Sequence, residues 1–230
     1  MPKINREKGQ LVQLLLSVVC MLLMLFSAPV YGQEDSVEVL GYLPVDRFDS
    51  LHLRIQQFDK SVDFNELKTA FAHSRFYDPW TDELEEYRDL MIQALDNGEP
   101  AHAAAFGYQI LLLDFTDIGI HMACEIAFRE MKQPEKASYH HWVAKSLMES
   151  LFSSGDGLTP ETAFHVISLT EKMIVIHKLG VEFRREERER INDTWYDVIK
   201  VIDSKRIRMY DVYFNIELPM TRSGDLPEEP

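Results

Sequence analysis

The chain has 230 residues, 46% of them apolar, and a formal net charge of −14. Such acidity excludes nucleic acid and anionic membrane surfaces as partners, since both repel it. Two cysteines, Cys20 and Cys124, leave no framework of disulfides to staple the fold, which must stand on its apolar core.

The first segment reads as an address. Lys3, Arg6 and Lys8 form a basic head, an apolar run extends from Leu11 to Phe26, and Ser27-Ala28-Pro29-Val30-Tyr31-Gly32 follows. The run falls short of the ~20 residues that span a bilayer. Val30 and Gly32 stand at −3 and −1 of a signal-peptidase site. Residues 1–32 are therefore expected to be a cleaved signal peptide, giving an exported, periplasmic or secreted chain with no membrane insertion after cleavage. Its loss makes the remainder more acidic and leaves Cys124 as the lone thiol. Residues 33–43 are a polar lead-in.

From residue 44 to residue 154 the pattern is helical. Phe48, Leu51, Ile55 and Phe58 recur at helical spacing over 48–58. Asp63 and Glu66 have the spacing of a capping box for a helix over 63–74. Tyr77-Asp78-Pro79-Trp80 reads as a turn, and Thr81 as the cap of a helix over 81–97 that stops at Asn97-Gly98. Helices are expected next over 99–114, 117–131 and 134–153. Cys124 lies on an apolar face of the second of these and reads as inert core.

One internal repeat stands out. The stretch from Asn97 to Ala103 aligns with that from Met131 to Ala137, a period of 34 residues. This is the spacing of tetratricopeptide helix pairs, with Gly98 and Ala103 where that pattern wants small residues and Lys132 in place of the second glycine. The match covers about one and a half repeats, so the earlier helices must complete the stack.

The period changes at Ser154-Gly155-Asp156-Gly157. Phe164–Leu169 reads as a strand, residues 171–179 as a short helix closed by Gly180, residues 181–190 as extended and charged, and residues 195–202 and 207–218 as strands. Residues 155–220 are expected to form a small antiparallel sheet packed on the helices, and 221–230 a disordered tail. The fold class is α+β: tetratricopeptide-like antiparallel helix pairs followed by that sheet.

Several short strings carry a resemblance. Asp117 with His121, Tyr139-His140, Ser154-Gly155-Asp156-Gly157, Pro160 to Phe164, Val166-Ile167-Ser168 and Tyr213-Phe214-Asn215 resemble the bacterial domain-of-unknown-function 4919 family over about Asp63 to Met220. The resemblance implies an exported protein with tetratricopeptide-like helices ahead of a strand region, and implies no activity. Glu171-Lys172-Met173 and Gly119 depart from the family pattern.

Hydrolase elbows, zinc-protease helices, phosphate loops and dinucleotide turns are absent from the sequence. No cofactor or bound metal is expected. In a helical hairpin turning near Gln133, residues whose numbers add to about 266 lie level. That register brings the Asp156 loop toward the start of the helix carrying Asp117 and His121. An acid/base or metal cluster of Asp156, Glu161 and His121 is then one expectation, with His140 a poorer fit, and a hydrolase or metal-dependent enzyme the corresponding function. Turn chemistry explains each of those residues separately and is the stronger expectation. The leading function is a protein- or peptide-binding scaffold with a concave face presenting Tyr77, Trp80 and Tyr108.

Overall fold

The computed structural model describes residues 46–222. The expected leader, lead-in and all but the first two residues of the expected tail lie outside them. Six helices come first: α1 (Arg47–Gln56), α2 (Phe64–Ala72), α3 (Glu85–Asp96), α4 (Pro100–Leu113), α5 (Ile118–Glu130) and α6 (Pro134–Ser153). Local chemistry sets their ends. Asp63 Oδ1 accepts from Asn65 N at 2.8 Å and Asp117 Oδ1 from Ile120 N at 2.9 Å, each satisfying a donor in the first turn. Pro100 and Pro134 occupy the first helical position, where a missing N–H is harmless. The capping box at Asp63 is half made: Glu66 binds Arg47 of α1 instead.

Helices α3 to α6 pack consecutively as antiparallel neighbours. The α5–α6 register is the expected one, since Glu125 Oε2 lies 3.1 Å from His141 Nδ1. The first pair departs from a linear stack. Helix α2 packs on α1 and on α6, so the N-terminal pair closes against the last helix rather than extending the row ahead of α3.

Two cores result. Leu84, Met91, Ala103, Ile110, Cys124 and Phe128 fill the one within α3–α5. The larger joins α1, α2 and the C-terminal half of α6 to the sheet, through Leu51, Leu67, Leu147, Leu151, Ile199 and Phe214. Helix α6 spans both, giving Ala137 to the first and Val143 to the second.

After α6 come a short 3-10 turn (Pro160–Thr162), β1 (Phe164–His165), α7 (Leu169–Leu179), β2 (Glu182–Ile191), β3 (Thr194–Asp203), β4 (Arg208–Asn215) and α8 (Glu217–Arg222). The sheet order is β1-β4-β3-β2. Strands β2, β3 and β4 are antiparallel, but β1 runs parallel to β4, so the sheet is mixed rather than antiparallel throughout. Strand β1 is also shorter than expected. Ile167 N donates to Glu171 Oε2 at 2.9 Å and Ser168 caps α7, which takes those residues out of the ladder. The expected strand over 207–218 gives way at Asn215, whose Oδ1 accepts from Glu217 N at 3.0 Å and opens α8. That helix takes in Thr221 and Arg222.

Strand β2 is an exposed edge, and its run of Arg and Glu side chains discourages pairing with another chain. Asn192 and Asp193 turn it into β3 with φ of 50° and 64°, the double left-handed geometry of a tight hairpin.

Candidate functional site

Where the linker between α2 and α3 crosses the start of α7 there is a cavity of about 260 Å³. Its aromatic wall is Phe71, Phe76, Tyr77 and Trp80, and its polar lining includes Arg88, Asp114 and Ser168. The wall is held by long-range bonds. Tyr77 Oη donates to Ile167 O at 2.6 Å, and Trp80 Nε1 donates to Pro219 O at 3.0 Å. Asp78 Oδ1 accepts from Trp80 N at 3.2 Å and fixes the turn.

The charged lining comes from two adjacent helices. Arg88 projects from α3, and its Nη1 lies 2.5 Å from Asp117 Oδ2 at the start of α5. That pair neutralises most of the guanidinium charge. Arg88 Nε is buried without a hydrogen bond among the described residues; Glu85 Oε1, an exposed carboxylate, stands 3.6 Å away. Asp114 ends α4. Its Oδ1 accepts from Thr116 N at 3.1 Å and Thr116 Oγ1 at 2.9 Å, while its other oxygen makes no hydrogen bond among the described residues. Burial pushes the Asp114 carboxyl up to about 7, with the nearby Asp117 charge adding to the shift. Asp78, Glu85 and Asp114 make the cavity acidic on balance.

The six residues singled out from the sequence fall in four places. Tyr77 and Trp80 line this cavity, although Tyr77 is only 6% exposed rather than presented on a surface. Tyr108, 40% exposed, lines a different cavity beside α6. His121 is wholly buried: Nε2 lies 2.9 Å from Phe115 O and Nδ1 3.0 Å from His140 Nδ1. Its partner is thus the histidine that the sequence placed second. Asp156 is an exposed turn residue, accepting from Thr162 Oγ1 at 2.6 Å and Leu158 N at 3.0 Å. The hydrogen bond from Thr162 holds its carboxyl below the usual range. Glu161 is exposed in the 3-10 turn.

The structure does not bring Asp156, Glu161 and His121 together. The Gly155–Gly157 loop turns toward the sheet, where Tyr213 N donates to Gly157 O at 2.9 Å, instead of toward the start of α5. Among the described residues, no three or more His, Cys, Asp or Glu side chains are grouped to hold a metal. Cys124 is buried, and burial pushes its thiol up to about 12, consistent with inert core.

Comparison with protein families matches residues 47–223 to the family described as Domain of unknown function (DUF4919). The chain belongs to this family. The match begins with α1 and ends just past α8, so the DUF4919 region takes in all the helices and strands described here. Neither the curated proteins nor the solved structures contain a match to the chain. Among the described residues, no helix is long and apolar enough to cross a membrane.

Arg88 and Asp114 were not singled out in the sequence. They lie far apart along the chain and meet only because α3 and α4 pack antiparallel. The available signal was weak: a basic residue within the acidic helix α3, and an aspartate closing the largely apolar helix α4.

Proposed function

We propose that this protein is an exported binding module that captures a protein or peptide segment through a basic side chain inserted into the Trp80–Asp114 cavity. The observation that carries this reading is the Asp114 carboxyl, pinned through one oxygen by Thr116 and, among the described residues, without a hydrogen bond on the other, in a cavity with aromatic walls. An ammonium or guanidinium supplies what that oxygen lacks, and aromatic faces favour cations. Trp80 already takes one such group, with the Arg188 guanidinium 5.7 Å from its ring centroid. The acidity of the whole chain favours encounter with a basic partner. Export, with cleavage near Gly32, rests on the leader pattern, and descent from tetratricopeptide-like pairs rests on the 34-residue repeat.

Calorimetric titration with short lysine- and arginine-containing peptides tests this reading, with acidic peptides as controls. Basic peptides are expected to bind, and Asp114→Asn to weaken them about tenfold, the scale of one charge-assisted contact. Affinity should rise from pH 6 to pH 8 as Asp114 ionises. Equal binding of acidic peptides, or indifference to Asp114→Asn in a variant that still unfolds cooperatively, overturns the proposal.

A further inference from the structure

A second cavity, of about 340 Å³, lies beside α6 and is lined by Gln56, Phe58, Tyr108, Lys136, Tyr139 and His140, with Glu135 at its side. Hydrogen bonding behind it sets the state of its innermost group. Phe115 O can only accept, so His121 Nε2, 2.9 Å away, carries the proton. Both imidazoles are neutral near pH 7, burial pushing His121 down to about 3 and His140 to about 4. Neutral His121 therefore offers a lone pair at Nδ1, and His140 Nδ1, 3.0 Å away, must donate to it. The proton of His140 is thus committed inward, and His140 Nε2 is left as a bare acceptor. That nitrogen has no hydrogen bond among the described residues, on a side chain only 2% exposed that lines the cavity.

The walls are aromatic. Tyr108 and Tyr139 pack on His140 with ring centroids 5.8 and 5.1 Å away. Phe58 lies edge-on to Tyr139 and stacked on Trp142. Phe58 also sits at φ 60°, the left-handed position that ends α1, where glycine is the unstrained choice. A phenylalanine there holds a half-exposed ring over the cavity against backbone strain.

Charge and hydrogen-bond capacity narrow the ligand. A quaternary ammonium has no proton for His140 Nε2 and meets the Lys136 ammonium. An anion meets Glu135 and the bare imidazole nitrogen. A neutral ring with hydroxyl donors and a C–H face satisfies both the acceptor and the aromatic walls, with Gln56 and Lys136 available to its oxygens. We propose that this cavity is a carbohydrate-binding site in which one sugar ring packs between Phe58, Tyr108 and Tyr139 and donates a hydroxyl to His140 Nε2.

Solution NMR on the full chain tests this in two steps. Imidazole nitrogen spectra are expected to show His140 protonated at Nδ1; a proton at Nε2 overturns the proposal. Titration with methyl glucoside, methyl mannoside and N-acetylglucosamine follows, with tetramethylammonium and phosphate as controls. At least one sugar should shift the His140, Tyr108 and Tyr139 resonances, with a dissociation constant raised at least tenfold by Tyr108→Ala and by the surface variant Gln56→Ala. No sugar response up to the solubility limit, a response unchanged in both variants, or binding by a control ion in place of the sugars, overturns it.

Discussion

Gly98 and Lys132 hold the same left-handed backbone position one repeat apart, with φ of 69° and 58°. The surrounding hydrogen bonds match. Glu99 N reaches Ala94 O at 2.8 Å, and Gln133 N reaches Phe128 O at 2.9 Å; Gly98 N and Lys132 N each bond three residues back, to Leu95 O and Arg129 O. These are the same helix-ending motif, made once with its preferred residue and once without. A Cβ at Gly98 meets nothing within 4 Å, so packing does not distinguish the two sites. Lys132→Gly is therefore expected to stabilise the fold by about 1 kcal/mol, the usual penalty for a side chain in this conformation. Gly98→Lys should destabilise it by a similar amount. Urea unfolding midpoints measure both, and a Lys132→Gly variant less stable than the parent would contradict the strain argument.

The buried histidines make the fold acid-sensitive. An unfolded histidine titrates near 6.5, whereas burial lowers His121 to about 3 and His140 to about 4. Between pH 6.5 and 4 the unfolded chain binds protons that the folded one refuses. Stability therefore falls as pH falls, by about 1.4 kcal/mol per pH unit for each histidine. Asp114 works against this. Its folded value near 7 lies above the 3.8 of an unfolded aspartate, so the folded chain binds the extra proton and gains stability as pH falls through that window. The two effects overlap, leaving a net slope of about one histidine's worth. Asp114→Asn should steepen the acid loss toward about 2.8 kcal/mol per unit. Unfolding free energies at pH 6.5, 5.5 and 4.5 check the slopes, and equal slopes in parent and variant rule out the opposing role of Asp114.

The helices were legible because their signals are local. Apolar residues recur at helical spacing, Asp63 and Asp117 cap, and Pro100 and Pro134 start helices at the 34-residue repeat. Where the sequence misled, a side chain from a neighbouring element took over a backbone group. Phe164–Leu169 has the composition of a strand, but Glu171 captures the Ile167 N–H and ends it. Asn192-Asp193 makes the tight turn in the gap between the segment read as extended over 181–190 and the strand read over 195–202. At the candidate site, the turn at Pro79 exposed Tyr77 and Trp80 to sequence reasoning. The acid and base that share their cavity depend on helix pairing, which periodicity does not specify.

The glycine-bracketed aspartate is predicted to be a structural device. A Cβ on Gly155 would lie 2.2 Å from Thr162 O and 2.5 Å from Ala163 O, both backbone atoms that cannot rotate away. At Gly157 it would lie 2.6 Å from the Phe164 ring, with φ at 70° adding strain. Gly155→Ala and Gly157→Ala should each destabilise the fold by about 2 kcal/mol or more, against about 1 kcal/mol for Gly98→Ala, where only the backbone angle is at issue. Thermal unfolding of the three variants gives the ranking. Gly155→Ala matching the milder Gly98→Ala would show that the loop shifts freely and is not locked against the Thr162 and Ala163 carbonyls.

Asp197 of β3 is held by two cations, Lys172 of α7 and Arg188 of the neighbouring strand β2, and the first ties the sheet to α7. Its side chain is 1% exposed and receives Arg188 Nε at 2.8 Å and the Lys172 ammonium, which also binds Glu186. Burial raises the Asp197 carboxyl, but hydrogen bonds from Arg188 and Lys172 outweigh it and hold the group below its ordinary value. Asp197→Ala leaves the Lys172 ammonium, 6% exposed, with Glu186 alone, and should cost about 3–5 kcal/mol. Lys172→Met removes the opposite partner, yet Asp197 retains Arg188 and the methionine fills the apolar space, so its loss should be about half as large. Because the folded Asp197 value is depressed, its contribution is present above the unfolded aspartate value and lost as pH falls through the folded one. The stability gap between parent and Asp197→Ala should therefore narrow below pH 4. Chemical denaturation of both variants at pH 7 and pH 3.5 measures the ranking and the gap, and a Lys172→Met loss equal to that of Asp197→Ala would mean that Arg188 alone does not hold the carboxylate.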